Sequence, residues 1–190
     1  LALVAFVVAL GAGFVPGAVA QPLVGSDIGA VGRAGSSAVS GGTWTVMGAG
    51  ADIWGTADAF HFASMSASGD LDLRVRIDRQ TRTHGWARAG LMIRENLTPG
   101  SRHVSVFSTP DNGVLLQSRI AAGGVSTATT VRGVARPRWL RLTRVGDLFT
   151  AFRSTDGVPG RRSARGPSRC RAACRSAWRS PLARRPRAAP

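Results

Sequence analysis

GDLDLRVRID, residues 69–78, sets Leu71, Leu73, Val75 and Ile77 on one side of the chain and Asp70, Asp72, Arg74, Arg76 and Asp78 on the other. In extended backbone successive side chains point to opposite faces, so this alternation predicts a half-buried strand with a charged outer face. The pattern recurs downstream. ARAGLMIRE (87–95) groups Ala87, Ala89, Leu91 and Ile93, and HVSVF (103–107), VLLQSRI (114–120), WLRLTRV (139–145) and LFTAF (148–152) continue the series. Turn formers separate these runs at Asn96 to Gly100, Pro110 to Gly113, Gly123-Gly124 and Gly146-Asp147. No segment between Asp27 and Asp156 carries a 3.6-residue apolar period. Short alternating strands at regular spacing predict an all-β domain, with antiparallel strands in a two-sheet sandwich.

The two ends have different compositions. LALVAFVVALGAGFVPGAVAQP (1–22) opens with an apolar run that stops at Pro16, short of the roughly 20 residues a spanning helix needs. Ala18 and Ala20 stand at −3 and −1 before Gln21, as signal-peptide cleavage requires. Residues 1–20 therefore read as a signal peptide lacking its start. Residues 21–157 read as a secreted domain with no membrane attachment once the leader is removed. The last segment, 158–190, holds ten arginines, both cysteines and no acid.

The net charge of +15 is mostly a property of that segment. The remainder carries only +5, too little to call for a nucleic-acid partner. Lysine and tyrosine are absent, and Ala, Gly, Arg and Val are abundant, a composition that suits a GC-rich genome. No cysteine precedes residue 158, which excludes disulfides and thiolate zinc sites from the body of the chain. Cys170 and Cys174, without a second pair or a nearby His, make a poor metal site.

Four stretches carry a resemblance: SDIGAVGRAGS (26–36), GAGADIWGTADAFHF (48–62), HGWARAGLMIRENLTPGSRHVSVFSTPDNGV (84–114) and WLRLTRVGDLFTAFRSTDG (139–157). In this order and spacing the chain resembles the bacterial DUF1349-type domain of the concanavalin A-like lectin/glucanase superfamily. The resemblance implies a jelly roll in an exported bacterial protein, often beside carbohydrate-active modules. It also implies a Trp and further strands after Ser154–Gly157, where this chain turns to Arg, Pro and Ala. Written as CCT GGA CGG CGG TCG, Pro159 to Ser163 reads Trp-Thr-Ala-Val from its third base. Residues 158–190 are thus expected to be a frameshifted, disordered tail, leaving the sandwich incomplete at its C-terminus.

Glycoside hydrolysis usually needs two carboxylates about 5–10 Å apart. The single glutamate, Glu95, reads as a strand-end ion pair. Asp52 and Asp58, flanking Trp54, offer an alternative acid pair, or hard oxygen ligands for Ca2+; no other cofactor is suggested. His61, His84 and His103 are scattered, and His61 should project opposite Phe60 and Phe62, outward or into a groove. Tryptophan is more informative, since its flat face packs on the apolar face of a pyranose while neighbouring polar groups bind hydroxyls. Trp44 and Trp139 read as core or rim residues. Trp54 and Trp86, in polar, turn-rich surroundings, are candidate binding residues, the alternative being the same core or rim packing. The expectation is a non-catalytic module that takes a glycan or polysaccharide through Trp54, Asp52, Asp58, His61 and Trp86. The alternatives are a glycosidase using the Asp pair, and a structural or adhesion domain with no small-molecule ligand.

Overall fold

The computed structural model describes residues 23–133 and 139–157, and the backbone of residues 169–170. Residues 1–22, which include the expected signal peptide, and almost all of the arginine-rich tail lie outside the described residues. Among the described residues thirteen strands precede the tail: β1 (Val24–Ile28), β2 (Ser36–Ser40), β3 (Thr43–Met47), β4 (Ile53–Trp54), β5 (Ala57–Asp58), β6 (Phe60–Ser64), β7 (Leu71–Arg76), β8 (Ala89–Arg94), β9 (His103–Thr109), β10 (Gly113–Arg119), β11 (Thr127–Val131), β12 (Trp139–Val145) and β13 (Leu148–Ser154). A two-residue β14 (Arg169–Cys170) pairs with β13. The protein is all-β. Every pairing is antiparallel, and no helix occurs among the described residues.

Two four-stranded sheets, β11-β10-β9-β8 and β14-β13-β12-β7, form a sandwich. Its core is the alternation read from the sequence. Val75 and Ile77, Leu140 and Leu142, and Phe149 and Ala151 meet Ala89, Leu91, Val104, Val106, Val114 and Leu116. Emptying such a site, as in Leu142→Ala, typically costs about 2–5 kcal/mol. The charged face of β7 turns outward, where Asp72 takes both Arg74 and Arg141 and Asp78 takes Arg76.

The second face of the β8–β11 sheet is not simply wet. Three two-stranded units, β1–β6, β2–β3 and β4–β5, belong to the N-terminal part of the chain. Ile28, Val46, Ile53, Phe60 and Phe62 from these units pack with Met92 and Phe107 from the sheet in a second core. β9 is consequently buried at every position. Gly90 is required where β8 meets β9, since a Cβ there would lie 2.0 Å from the Val106 carbonyl oxygen.

At the other edge, β13 pairs with β14 at Ala151 and Phe152. The expectation of a disordered tail concerns residues 158–190, of which all but the backbone of Arg169 and Cys170 lie outside the described residues. An edge strand offers unpaired N–H and C=O groups to any extended backbone, and β13 takes these two residues.

Candidate functional site

Where the N-terminal units stop short of the β10–β11 edge, a pocket of about 480 Å³ opens over the second face of the sheet. Leu115 on β10 and Ala128 and Thr130 on β11 line it from the sheet, and the register pairs Leu115 with Thr130. Ala51, Asp52 and Trp54 line it from the β4 side, and His84, Trp86 and Arg88 from the segment before β8. The volume falls in the range of small-molecule sites.

Both tryptophans are held by their own backbone. Trp54 ends β4 and pairs with Ala57 across Gly55-Thr56, with Gly55 at φ +54°. From β10, Arg119 donates Nη2 hydrogen bonds to the carbonyls of Trp54 (3.2 Å) and Gly55 (3.3 Å), and the Ser126 N–H donates to Gly55 (2.8 Å). Trp86 sits in a tight loop. Its N–H donates to His84 Nδ1 (3.2 Å), while Asn112 Nδ2 and the Asp111 N–H both donate to the Gly85 carbonyl. Arg132 lies 5.8 Å from the Trp86 ring centre. The indoles stay 43 % and 37 % exposed.

Asp52 is half exposed at the pocket and pairs with Arg88 at 2.6 Å, besides accepting the Ile53 N–H. Arg88 is buried and also donates to the Ile53 carbonyl. Burial depresses its guanidinium from the usual value, and Asp52 and then Asp58 offset part of that. Arg88 is a site residue that its local sequence does not mark as one.

Asp58 does not reach the pocket. It is 2 % exposed, clamped by Arg119 through Nη2–Oδ1 (2.6 Å) and Nη1–Oδ2 (2.9 Å), with Arg94 at 3.4 Å. Asp52 and Asp58 are therefore not a solvent-facing acid pair; Asp58 answers a buried cation. Among the described residues, no group of three His, Cys, Asp or Glu side chains converges as a metal site.

His61 is also displaced from its expected place. It is 4 % exposed, facing neither solvent nor the pocket but β1 and β2. Asp27 Oδ1 lies 2.7 Å from its Nδ1 and Ser37 Oγ lies 2.9 Å from its Nε2. The hydrogen bond from His61 holds the Asp27 carboxyl below its ordinary range, burial opposing and the Gly35 N–H assisting. Gly25 and Gly35 flank the ring. A Cβ at 35 would lie 2.3 Å from Cγ and Nδ1, and one at 25 would lie 2.9 Å from Nε2.

His103, Gln117, Arg119 and Arg94 form a buried polar layer on the second sheet face. Glu95 pairs with Arg102 at 3.6 Å. Trp44 packs against the second core, and Trp139 stacks with Arg76 at the sandwich rim. Among the described residues no helix is long and apolar enough to cross a membrane. The chain matches no family model, and no curated protein or solved structure matches it.

Proposed function

We propose that the domain is a secreted carbohydrate-binding or accessory module with a concanavalin A-like jelly roll, its tryptophan pocket holding a glycan without catalysis, as its resemblance to DUF1349-type domains implies. The observation that carries this reading is the meeting of two exposed indoles, Trp54 and Trp86, at one pocket whose other walls supply Asp52, His84, Arg88 and Thr130. Flat apolar faces beside fixed donors and acceptors suit a pyranose, whose C–H face stacks while its hydroxyls hydrogen-bond. The loops around both rings are tied down before any ligand arrives, which limits the ordering cost of binding. The glycosidase alternative draws no support from Asp58, whose carboxylate is enclosed by two arginines.

Binding of the full chain to a panel of immobilised neutral and acidic polysaccharides tests the reading. Trp54→Ala and Trp86→Ala should each weaken retention by about tenfold, the equivalent of one aromatic contact of roughly 1.5 kcal/mol. Thermal melting should be little changed, because both rings are partly in solvent. Absence of retention on every polysaccharide, or retention indifferent to both substitutions, overturns the proposal.

A further inference from the structure

Ser37, His61 and Asp27 lie on three different strands, β2, β6 and β1, yet their polar atoms form a continuous relay. A carboxylate only accepts hydrogen bonds, so Asp27 takes the Nδ1–H of His61 (2.7 Å) and thereby leaves Nε2 as the basic nitrogen. Nε2 in turn accepts from the Ser37 hydroxyl at 2.9 Å. Asp27 is itself aimed by the Gly35 N–H, which reaches both carboxylate oxygens at 3.2 Å. Nucleophile, base and orienting group at these separations have the geometry by which a serine can be activated, whatever the chain order.

The surrounding backbone is shaped to this relay. Neither Gly25 nor Gly35 has a positive φ, so conformation does not demand glycine at either position. Space does. A Cβ at 35 would overlap the imidazole, and one at 25 would lie 3.2 Å from Ser37 Oγ and 2.9 Å from Nε2. Ser37 is half-buried on an otherwise exposed strand. None of the residues lining the tryptophan pocket belongs to β1, β2 or β6.

We infer that Ser37, His61 and Asp27 form an acyl-transfer site that hydrolyses small, exposed carboxylic esters. Ser37 Oγ attacks the ester carbonyl carbon while Nε2 takes the hydroxyl proton, and the carbonyl electron pair moves to oxygen. Collapse of the adduct breaks the acyl–oxygen bond, and the leaving alkoxide receives the proton from Nε2. Water then repeats the cycle on acyl-Ser37 and releases the carboxylic acid. Ser37 and His61 are the catalytic residues; Asp27 is a positioning residue. The site goes beyond the glycan reading and does not rest on it.

Two measurements on the full chain test this: covalent labelling by a fluorophosphonate, and hydrolysis of a short-chain aryl ester. The aryl leaving group is chosen because its departure asks little of an oxyanion-stabilising donor. The label should appear on Ser37 in peptide mass analysis of the unsubstituted protein, and ester hydrolysis should turn over repeatedly. Ser37→Ala should abolish labelling, and His61→Gln should lower hydrolysis about a hundredfold. Asp27→Asn should lower kcat with KM nearly unchanged, which a purely structural role would not produce. No label on Ser37, hydrolysis unaltered in Ser37→Ala, or labelling without turnover each overturns the proposal.

Discussion

His103 shows how one side chain senses the layer that covers it. It is fully enclosed, with Nδ1 near Ser105 Oγ at 3.1 Å and no partner on Nε2. Burial, with Arg119, Arg94 and Arg88 nearby, lowers its pKa from 6.5 to about 3. In the unfolded chain the imidazole regains its ordinary affinity for a proton. Below about pH 6.5 the unfolded state therefore binds a proton that the folded state refuses, so folding weakens as pH falls toward about 3. The slope from this group is at most about 1.4 kcal/mol per pH unit. Urea unfolding at pH 7 and pH 4.5 should show a loss that His103→Asn reduces. The comparison stays above the window of the paired carboxylates. Asp72, lowered to about 2 chiefly by its hydrogen bond from Arg141, contributes stability that is lost only below about pH 4. A pH dependence identical in both proteins would contradict the assignment. Alternation marks His103 as pointing away from the Val104 and Val106 face; it does not say that this second face is dry.

At the scale of elements, Arg119 joins three of them. From β10 it holds Asp58 on β5, the carbonyls of Trp54 and Gly55 in the β4–β5 hairpin, and the carbonyls of Pro99 and Ser101 in the β8–β9 connection. A two-residue strand such as β4 has too little ladder to fix itself, so this guanidinium places the Trp54 ring at the pocket. Arg119→Ala should destabilise the fold by about 3–5 kcal/mol, because it leaves Asp58 buried without its main counter-charge. The paired change Arg119→Leu with Asp58→Leu should recover much of that stability without recovering polysaccharide retention. Chemical denaturation checks the first expectation and retention checks the second. The turn-rich character of GADIWGTAD, which holds the hairpin, is plain in the sequence. The arginine that anchors it is not, since β10 lies 64 residues further along.

For the whole molecule, the open question of edges sits at β13. Among the described residues it is paired on its outer side only at Ala151 and Phe152. An unpaired edge beside an apolar face invites association with other chains. A chain re-encoded after Gly157 in the alternate frame should supply an alternating strand against that edge. We expect it to melt more than about 5 °C higher and to stay monomeric at higher concentration, a shift of a few kcal/mol for a domain of this size. Calorimetry and light scattering on the two chains decide the matter, and equal melting and solubility would show that the arginine-rich ending costs the fold nothing.

Strands, turns and the apolar face of the main sandwich were determined by local pattern, because alternation and turn chemistry act between residues a few positions apart. GDLDLRVRID turns the same face to the core in the fold as it does on the page, and the breaks at Asn96 to Gly100 and Gly146-Asp147 fall between strands. Tertiary structure decided everything that depends on a third layer. It brought Trp54 and Trp86 to one pocket, drew Asp58 inward to Arg119, and turned His61 toward Asp27 and Ser37. A polar residue in alternation reads as wet, and only the packing of the N-terminal hairpins over the β8–β11 sheet settles whether water reaches it.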